Sequence, residues 1–103
     1  FWLRTTQTGA VTAATAPGIA GVAGAGGAQW GWLDPFGCIG LAVDNTTLVQ
    51  STNSVSDGAW HHVVLTRDGT SGAGQLYLDG ALQQSATGAT GAKNVPFTSL
   101  ARI

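Results

Sequence analysis

Two runs of alternating residues, each closed by an Asp-Gly pair, constrain this chain more than any other feature. The first run is Trp60–Arg67, which Asp57-Gly58 precedes and Asp68-Gly69 follows. The second run covers residues 75–78 and ends at Asp79-Gly80. Asp-Gly between β-rich runs favours tight turns, because glycine adopts positive φ without a steric penalty and aspartate tolerates it. The stretch from 56 to 80 therefore predicts strands that pair through short connections.

The rest of the chain divides into further short strands separated by polar turns. No window sustains the apolar spacing of an amphipathic helix. A glycine-weakened strand is predicted within 18–27. The other predicted strands cover residues 1–6, 29–33, 38–43, 47–52 and 81–85, with the start of another at 100–103. Short strands at regular spacing predict an all-β fold, an antiparallel β-sandwich.

The central stretch also carries a resemblance to a known family. Its parts are Asp57-Gly58-x-Trp60-His61-His62-Val63, then Thr66-Arg67-Asp68-Gly69, then Leu76-Tyr77-Leu78-Asp79-Gly80. This order resembles the central signature of laminin-G-like domains, which belong with the pentraxins to the concanavalin A-like jelly-roll sandwiches. The resemblance implies a jelly roll that is incomplete in residues 1–103, with terminal strands missing at both ends.

Length and charge exclude several classes of function. A chain of 103 residues makes one domain. Its net charge is −1 and its four Lys and Arg residues are scattered, so no basic stripe exists to neutralise phosphates. We therefore expect no nucleic-acid partner. No apolar stretch approaches the length that spans a bilayer, so no membrane insertion is expected.

The acidic residues indicate turns rather than catalysis. The chain contains no glutamate, and each aspartate directly precedes Pro, Asn or Gly: Asp34, Asp44, Asp57, Asp68 and Asp79. A glycosidase needs two carboxylates that face each other across the sugar bond. The single cysteine, Cys38, lies in an apolar run, where a thiol is usually inert. We predict that the domain is not an enzyme.

The adjacent histidines also favour a structural role. In a strand, His61 and His62 point to opposite faces, so they cannot share one metal ion. His62 shares its face with Trp60, and His61 shares the other with Val63. A core or hydrogen-bonding role is therefore predicted for both rings.

The resemblance also implies calcium binding. Many laminin-G-like domains bind this ion at the rim of the sandwich, and Asp34, just before the strand at 38–43, resembles the first ligand. The second ligand would fall after Ile103. Asp34 followed by proline is also an ordinary turn opener.

Aromatic side chains supply the predicted contacts with a ligand. Trp30 and Trp32 are two residues apart, so an extended chain presents both rings on one side. Tyr77 and Gln75 form a second pair on one face. Such rings stack on the apolar faces of sugars. We therefore predict ligand contacts at Trp30, Trp32 and Tyr77, and core positions for Trp2 and Trp60.

Together these features predict a non-catalytic binding module. The resemblance implies an extracellular or cell-surface setting, within a larger multidomain chain. The partner would be carbohydrate or an extracellular protein, bound through rim loops with calcium as the implied cofactor. Two alternatives remain: a structural spacer domain without a ligand, and a fragment of a glycoside hydrolase whose acids lie elsewhere.

Overall fold

The computed structural model describes residues 1–93, and this part of the chain forms eight β-strands in two antiparallel sheets. The strands are β1 (Trp2–Arg4), β2 (Ala20–Gly21), β3 (Ala28–Leu33), β4 (Ile39–Val43), β5 (Thr46–Gln50), β6 (Trp60–Arg67), β7 (Ala73–Leu78) and β8 (Ala81–Thr87). The first sheet has the order β1-β6-β7-β8 and the second β2-β3-β4-β5. The all-β antiparallel prediction is confirmed, and the strand predicted at 100–103 lies outside the described residues. Residues 1–93 contain no helix that could span a membrane.

The main hydrophobic core lies between the two sheets. Strand β7 shows the pattern of a half-buried strand, since Gly74, Leu76 and Leu78 are buried and the residues that alternate with them are more exposed. The core draws on both sheets and the loop before β6, and consists of Ala28, Leu33, Ile39, Leu41, Val43, Leu48, Val49, Val55, Val63, Leu76 and Leu78. These side chains are apolar, so their removal from water holds the sheets together.

Strand β4 is buried along its whole length because both of its faces are covered. Leu41 points into the main core, whereas Ala42 packs with Ala13 and Trp32 in a second cluster. The second cluster lies beneath the loop at 7–17, which is tied to the end of β3: Gly9 N–H donates to Asp34 O at 2.8 Å. A strand covered on both sides reads as a continuous apolar run.

Two of the predicted tight turns form as expected. Asp44-Asn45 joins β4 to β5 with φ of 53° and 63°, and Asp79-Gly80 joins β7 to β8 with φ of 52° and 84°. Positive φ at both central residues matches the right-handed twist of the strands. Asp68 instead opens a longer loop, where its Oδ1 accepts from Thr70 N–H at 2.8 Å.

A β-bulge at Gly31 separates the two tryptophans of β3. The register shifts between Trp30 and Trp32, and Gly31 has a φ of 74°. Trp30 therefore packs against the main core, and Trp32 enters the second cluster, where only 2% of it is exposed. The prediction that both rings share one side is wrong, because an extra residue in the strand reverses the alternation of side chains.

Replacement of Gly31 by alanine tests the bulge. A Cβ at Gly31 would lie 3.1–3.3 Å from three carbon atoms of Ile19, whereas one at Gly26 would have no heavy atom within 4 Å. Both glycines have positive φ, of 74° and 76°, so both substitutions carry the backbone cost of about 1–2 kcal/mol. We expect Gly31→Ala to lower the free energy of unfolding by about 1–3 kcal/mol more than Gly26→Ala, as overpacking does. Urea denaturation of both variants measures this, and equal losses would contradict the packing at Gly31.

Candidate functional site

Two tryptophans stand on the outer side of the first sheet. Trp2 is 66% exposed and Trp60 is 62% exposed. Trp2 lies opposite His62 in the antiparallel register, and Arg4 lies opposite Trp60. Because alternate residues of a strand share a side, the four side chains occupy one surface. Their strands place a polar and a charged group beside two large apolar rings.

The same surface continues over β7 and β8. Tyr77 lies opposite Val64 on one side and Leu82 on the other. Leu82 is 52% exposed, and the Tyr77 hydroxyl donates to Gln75 Oε1 at 3.3 Å. The predicted Tyr77–Gln75 pairing is confirmed. We call the surface formed by Trp2, Trp60, His62, Tyr77 and Leu82 the aromatic face.

The positions of Trp2 and Trp60 correct the prediction that these rings belong to the core. The inner side of this sheet is filled by smaller side chains, with Val63 fully buried and Leu3 packed against the core. Trp2 packs instead on His62, with ring centroids 4.9 Å apart and planes tilted by 47°. Sequence reasoning identified the two alternating sets of β6 but assigned the tryptophan to the wrong side.

A single imidazole joins the two turns that flank the aromatic face. His61 Nδ1 lies 2.8 Å from Asp79 Oδ2, and His61 Nε2 lies 2.9 Å from Asp57 Oδ1. The His61 side chain is only 12% exposed, whereas both carboxylates are about half exposed, at 51% and 50%. We call this group the histidine clamp. It confirms the predicted hydrogen-bonding role of His61.

Backbone hydrogen bonds extend the clamp into both turns. Asp79 Oδ1 accepts from His62 N–H at 2.8 Å, and Asp79 N–H donates to His62 O at 2.8 Å. On the other side, Asp57 Oδ1 also accepts from Ala59 N–H at 2.9 Å. The clamp therefore connects the residues just before Trp60 with the β7–β8 turn.

The clamp stabilises opposite charges on its three members. Hydrogen bonds to Asp79 and then Asp57 raise the pKa of His61, because they favour the imidazolium form. The pKa of Asp79 is lowered, first by the His61 hydrogen bond and then by His62 N–H. The pKa of Asp57 is lowered, first by Ala59 N–H and then by His61. The charged form of each group therefore favours the folded state.

These shifts predict how stability depends on pH. The stabilisation from His61 is complete below about pH 6.5 and is lost as the pH rises through its raised folded pKa. The stabilisation from Asp57 and Asp79 is complete above about pH 4 and is lost as the pH falls through their lowered pKa values. We expect the melting temperature to be highest between these limits. Thermal unfolding from pH 3 to pH 9 measures it, and His61→Gln should flatten the alkaline side of the curve.

The arrangement of the clamp is unsuited to acid–base catalysis. A catalytic histidine needs one ring nitrogen free to take a proton from a nucleophile or water. Here both nitrogens of His61 contact carboxylates. The lowered pKa values keep Asp57 and Asp79 ionised, so neither serves as a general acid near neutral pH.

Both carboxylate oxygens of Asp34, the predicted calcium ligand, already accept hydrogen bonds. Its Oδ1 accepts from Phe36 N–H at 2.8 Å and Cys38 N–H at 2.9 Å, and its Oδ2 accepts from Gln50 Nε2 at 2.7 Å. Calcium requires six to eight oxygen ligands. Within residues 1–93, no group of three or more His, Cys, Asp or Glu side chains is placed to hold a metal ion. Calcium binding at Asp34 stays a prediction, as does the second ligand after Ile103.

The other predicted ligand residues do not lie together. Trp32 is buried, and Trp30 borders a cleft of about 250 Å³ between the sheets, beside Phe1 and Ile19. Of the three predicted aromatic contacts, Tyr77 alone lies on the aromatic face. Cys38 is a half-buried free thiol whose pKa is raised, mainly by burial and then by the charge of Asp34, which agrees with an inert role.

A separate pocket opens at the opposite end of the sandwich from Asp34. It has a volume of about 430 Å³ and lies between β5 and the end of β8, with Thr46, Thr47 and Thr87 in its lining. Asp44 on its edge pairs with Lys93 at 2.9 Å, and this contact followed by Gly26 N–H lowers the pKa of Asp44. Its lining contains no aromatic ring among the described residues, so it offers hydroxyl groups but no stacking surface.

Comparison with known families agrees with this architecture. The laminin G-type family model described as the concanavalin A-like lectin/glucanases superfamily matches residues 1–102. The chain belongs to this superfamily. The predicted family is thereby confirmed, whereas the prediction of family strands outside these 103 residues stays a prediction.

Two curated proteins are similar to part of this superfamily member. They are the "sushi, von Willebrand factor type A, EGF and pentraxin domain-containing protein 1" of Rattus norvegicus, 39% identical over 56 residues, and that of Mus musculus, 38% identical over 56 residues. The similarity covers 54% of this chain and 2% of each relative. No solved structure matches the chain significantly. By their names, both relatives combine several kinds of domain.

Proposed function

We propose that this chain is a non-catalytic extracellular module that binds carbohydrate through the aromatic face. The exposure of Trp2 and Trp60 beside His62 carries the proposal. Two large rings held outward on a rigid sheet are costly to leave in water, and they match the apolar faces of pyranose rings. The superfamily, which includes lectins by its description, and the multidomain relatives support an extracellular setting within a larger chain.

The groups around the rings suit sugar hydroxyls. Arg4 uses its Nε to bind Gly58 O at 2.8 Å, so the guanidinium is held beside Trp60. Gln75 and Thr66 lie opposite each other on the same surface. Mixed stacking and hydrogen-bonding groups are typical of sites that recognise carbohydrate.

This proposal moves the contact surface away from the rim loops predicted from sequence. The rim proposal required Trp30 and Trp32 to be presented together beside Asp34. Burial of Trp32 and the hydrogen bonds of Asp34 favour structural roles for both. A protein partner is the alternative occupant of the aromatic face.

Alanine substitutions in the aromatic face test the proposal. We expect Trp2→Ala and Trp60→Ala each to weaken binding to a retained polysaccharide by about tenfold, which equals about 1.4 kcal/mol of lost stacking. Affinity electrophoresis against a panel of neutral and acidic polysaccharides identifies the ligand, and calorimetry measures its dissociation constant. Phe36→Ala is the matched control, because Phe36 is 80% exposed but lies in the Asp34 turn.

Two results would contradict carbohydrate binding at this face. One is retention of a polysaccharide that neither tryptophan substitution weakens, which would place the site outside the aromatic face. The other is binding to no polysaccharide, with capture of a protein that Trp60→Ala abolishes, which would assign the face to a protein partner.

Calcium assistance is tested separately at Asp34. If the ion binds there, calcium should raise the melting temperature, and Asp34→Asn should remove the rise. Asparagine keeps an oxygen for Phe36 N–H and Cys38 N–H, so the turn is preserved, while the charge and the oxygen that accepts from Gln50 Nε2 are lost. An equal rise in both proteins would place the ion elsewhere, and no rise would leave Asp34 as a turn residue.

A further inference from the structure

We infer that His61 is a positioning residue for the aromatic face: its imidazolium ring fixes the segment 57–59 that leads into Trp60, so ligand affinity falls as the pH rises through the titration of His61. The conformational part stands on the geometry of the clamp alone. The part that concerns affinity rests on the proposed function.

Few contacts hold the segment 57–59 in place. Asp57 is tied to His61 Nε2 at 2.9 Å. Gly58 O accepts from Arg4 Nε at 2.8 Å, and Gly58 N–H donates to Thr5 O at 2.9 Å. The contacts from Arg4 and Thr5 join the segment to the chain at and just after β1. The contact from His61 joins it to β6 and, through the same ring, to the turn after β7. Trp60 follows directly and pairs with Arg4 at the start of β6, so its direction depends on this pairing together with the two attachments.

Loss of one proton from His61 leaves one of the two carboxylates without a donor. A neutral imidazole has one N–H group and one lone pair, and the lone pair would face a carboxylate oxygen at under 3 Å. Asp79 has further ties through its other oxygen and its backbone, to both His62 N–H and His62 O. Asp57 has one other hydrogen bond, from Ala59 N–H, and it lies within the same loop. The contact that breaks is therefore the one to Asp57, which loosens segment 57–59 while its contacts to Arg4 and Thr5 remain.

The surroundings of His61 contain the charges that matter for this equilibrium. Asp57 faces it from the preceding loop, and Asp79 faces it from the β7–β8 turn. Strand β1 places the uncharged Leu3 opposite His61, with Arg4 as the next residue. His62, the neighbouring titratable ring, lies on the opposite side of the sheet against Trp2. Both facing charges are negative and favour the imidazolium form, in agreement with the raised pKa of His61. His61 therefore loses its proton above pH 6.5, the ordinary value for histidine.

Nuclear magnetic resonance tests the conformational part without any ligand. The ring resonances of His61 and His62 give the two titration midpoints separately. As the pH rises through the His61 midpoint, we expect the resonances of the Trp60 indole N–H and of the Gly58 and Ala59 amides to shift, and these groups to become more mobile. His62→Gln should leave this behaviour unchanged. If the resonances of Trp60 and Gly58 do not change at the His61 midpoint, the inference is overturned.

Asp57→Asn is the matched variant, because it should keep the fold and move the switch to lower pH. Ala59 N–H and His61 Nε2 both contact Asp57 Oδ1, so an asparagine oxygen at this position keeps both contacts while the negative charge is lost. With one carboxylate fewer beside it, the imidazolium form of His61 is less favoured, and its titration midpoint should fall. We expect the resonances of Trp60 and Gly58 to follow the lowered His61 midpoint in this variant, and a transition that stays at its original pH would count against the clamp.

Binding experiments test the functional part. For a polysaccharide that the domain retains, the dissociation constant should rise by about fivefold across the His61 midpoint, the size of one net hydrogen bond. The rise should move to lower pH in Asp57→Asn and stay unchanged in Phe36→Ala, which lies in the Asp34 turn away from the aromatic face. A constant affinity for the unaltered protein would overturn the inference. Failure to bind any polysaccharide at any pH would overturn the proposed function, while the resonance experiment still decides the role of His61.

Discussion

The contact of the His61 ring with two carboxylates is the interaction on which the first sheet depends. It ties the loop that enters β6 to the turn that leaves β7, and both turns contain an Asp-Gly pair. Gly58 and Gly80 adopt φ of 79° and 84°, so each glycine allows the turn while its aspartate provides the ion pair. The spacing of the central signature has a physical reason: two separated aspartates, Asp57 and Asp79, must both reach the ring of His61.

Local signals in the sequence were enough to predict most of the strands. Strand β6 has the predicted bounds, and β3 differs from its prediction by one residue at the start. The turn at Asp44-Asn45 was equally predictable from the sequence, because its conformation depends on two residues with few steric alternatives. Alternation within β6 correctly separated His61 from His62, since side chains in an unbroken strand must alternate.

The candidate site was harder to predict, because it depends on what covers each face of a sheet. Alternation in β6 gives two sets of side chains, and both contain apolar residues. Only the packing of the second sheet against Val63 decides that Trp60 points outward. The bulge at Gly31 is a similar case, because a single glycine in a strand has no sequence signal that distinguishes a bulge from an ordinary weakened position. The role of Asp34 was hard to predict for the same kind of reason, because its carboxylate accepts a hydrogen bond from Gln50, which is distant in the sequence.

The bulge at Gly31 has a consequence for spectroscopy. The chain has four tryptophans, and the reversal of alternation sends Trp32 into an interior cluster while Trp2 and Trp60 remain in water. Indole emission shifts to longer wavelength in a polar environment, so the intrinsic fluorescence is a sum of a blue, shielded component and a red, quenchable one. A soluble quencher reaches the outer pair first, and the residual emission then comes from the two tryptophans of β3, the buried Trp32 and the partly buried Trp30.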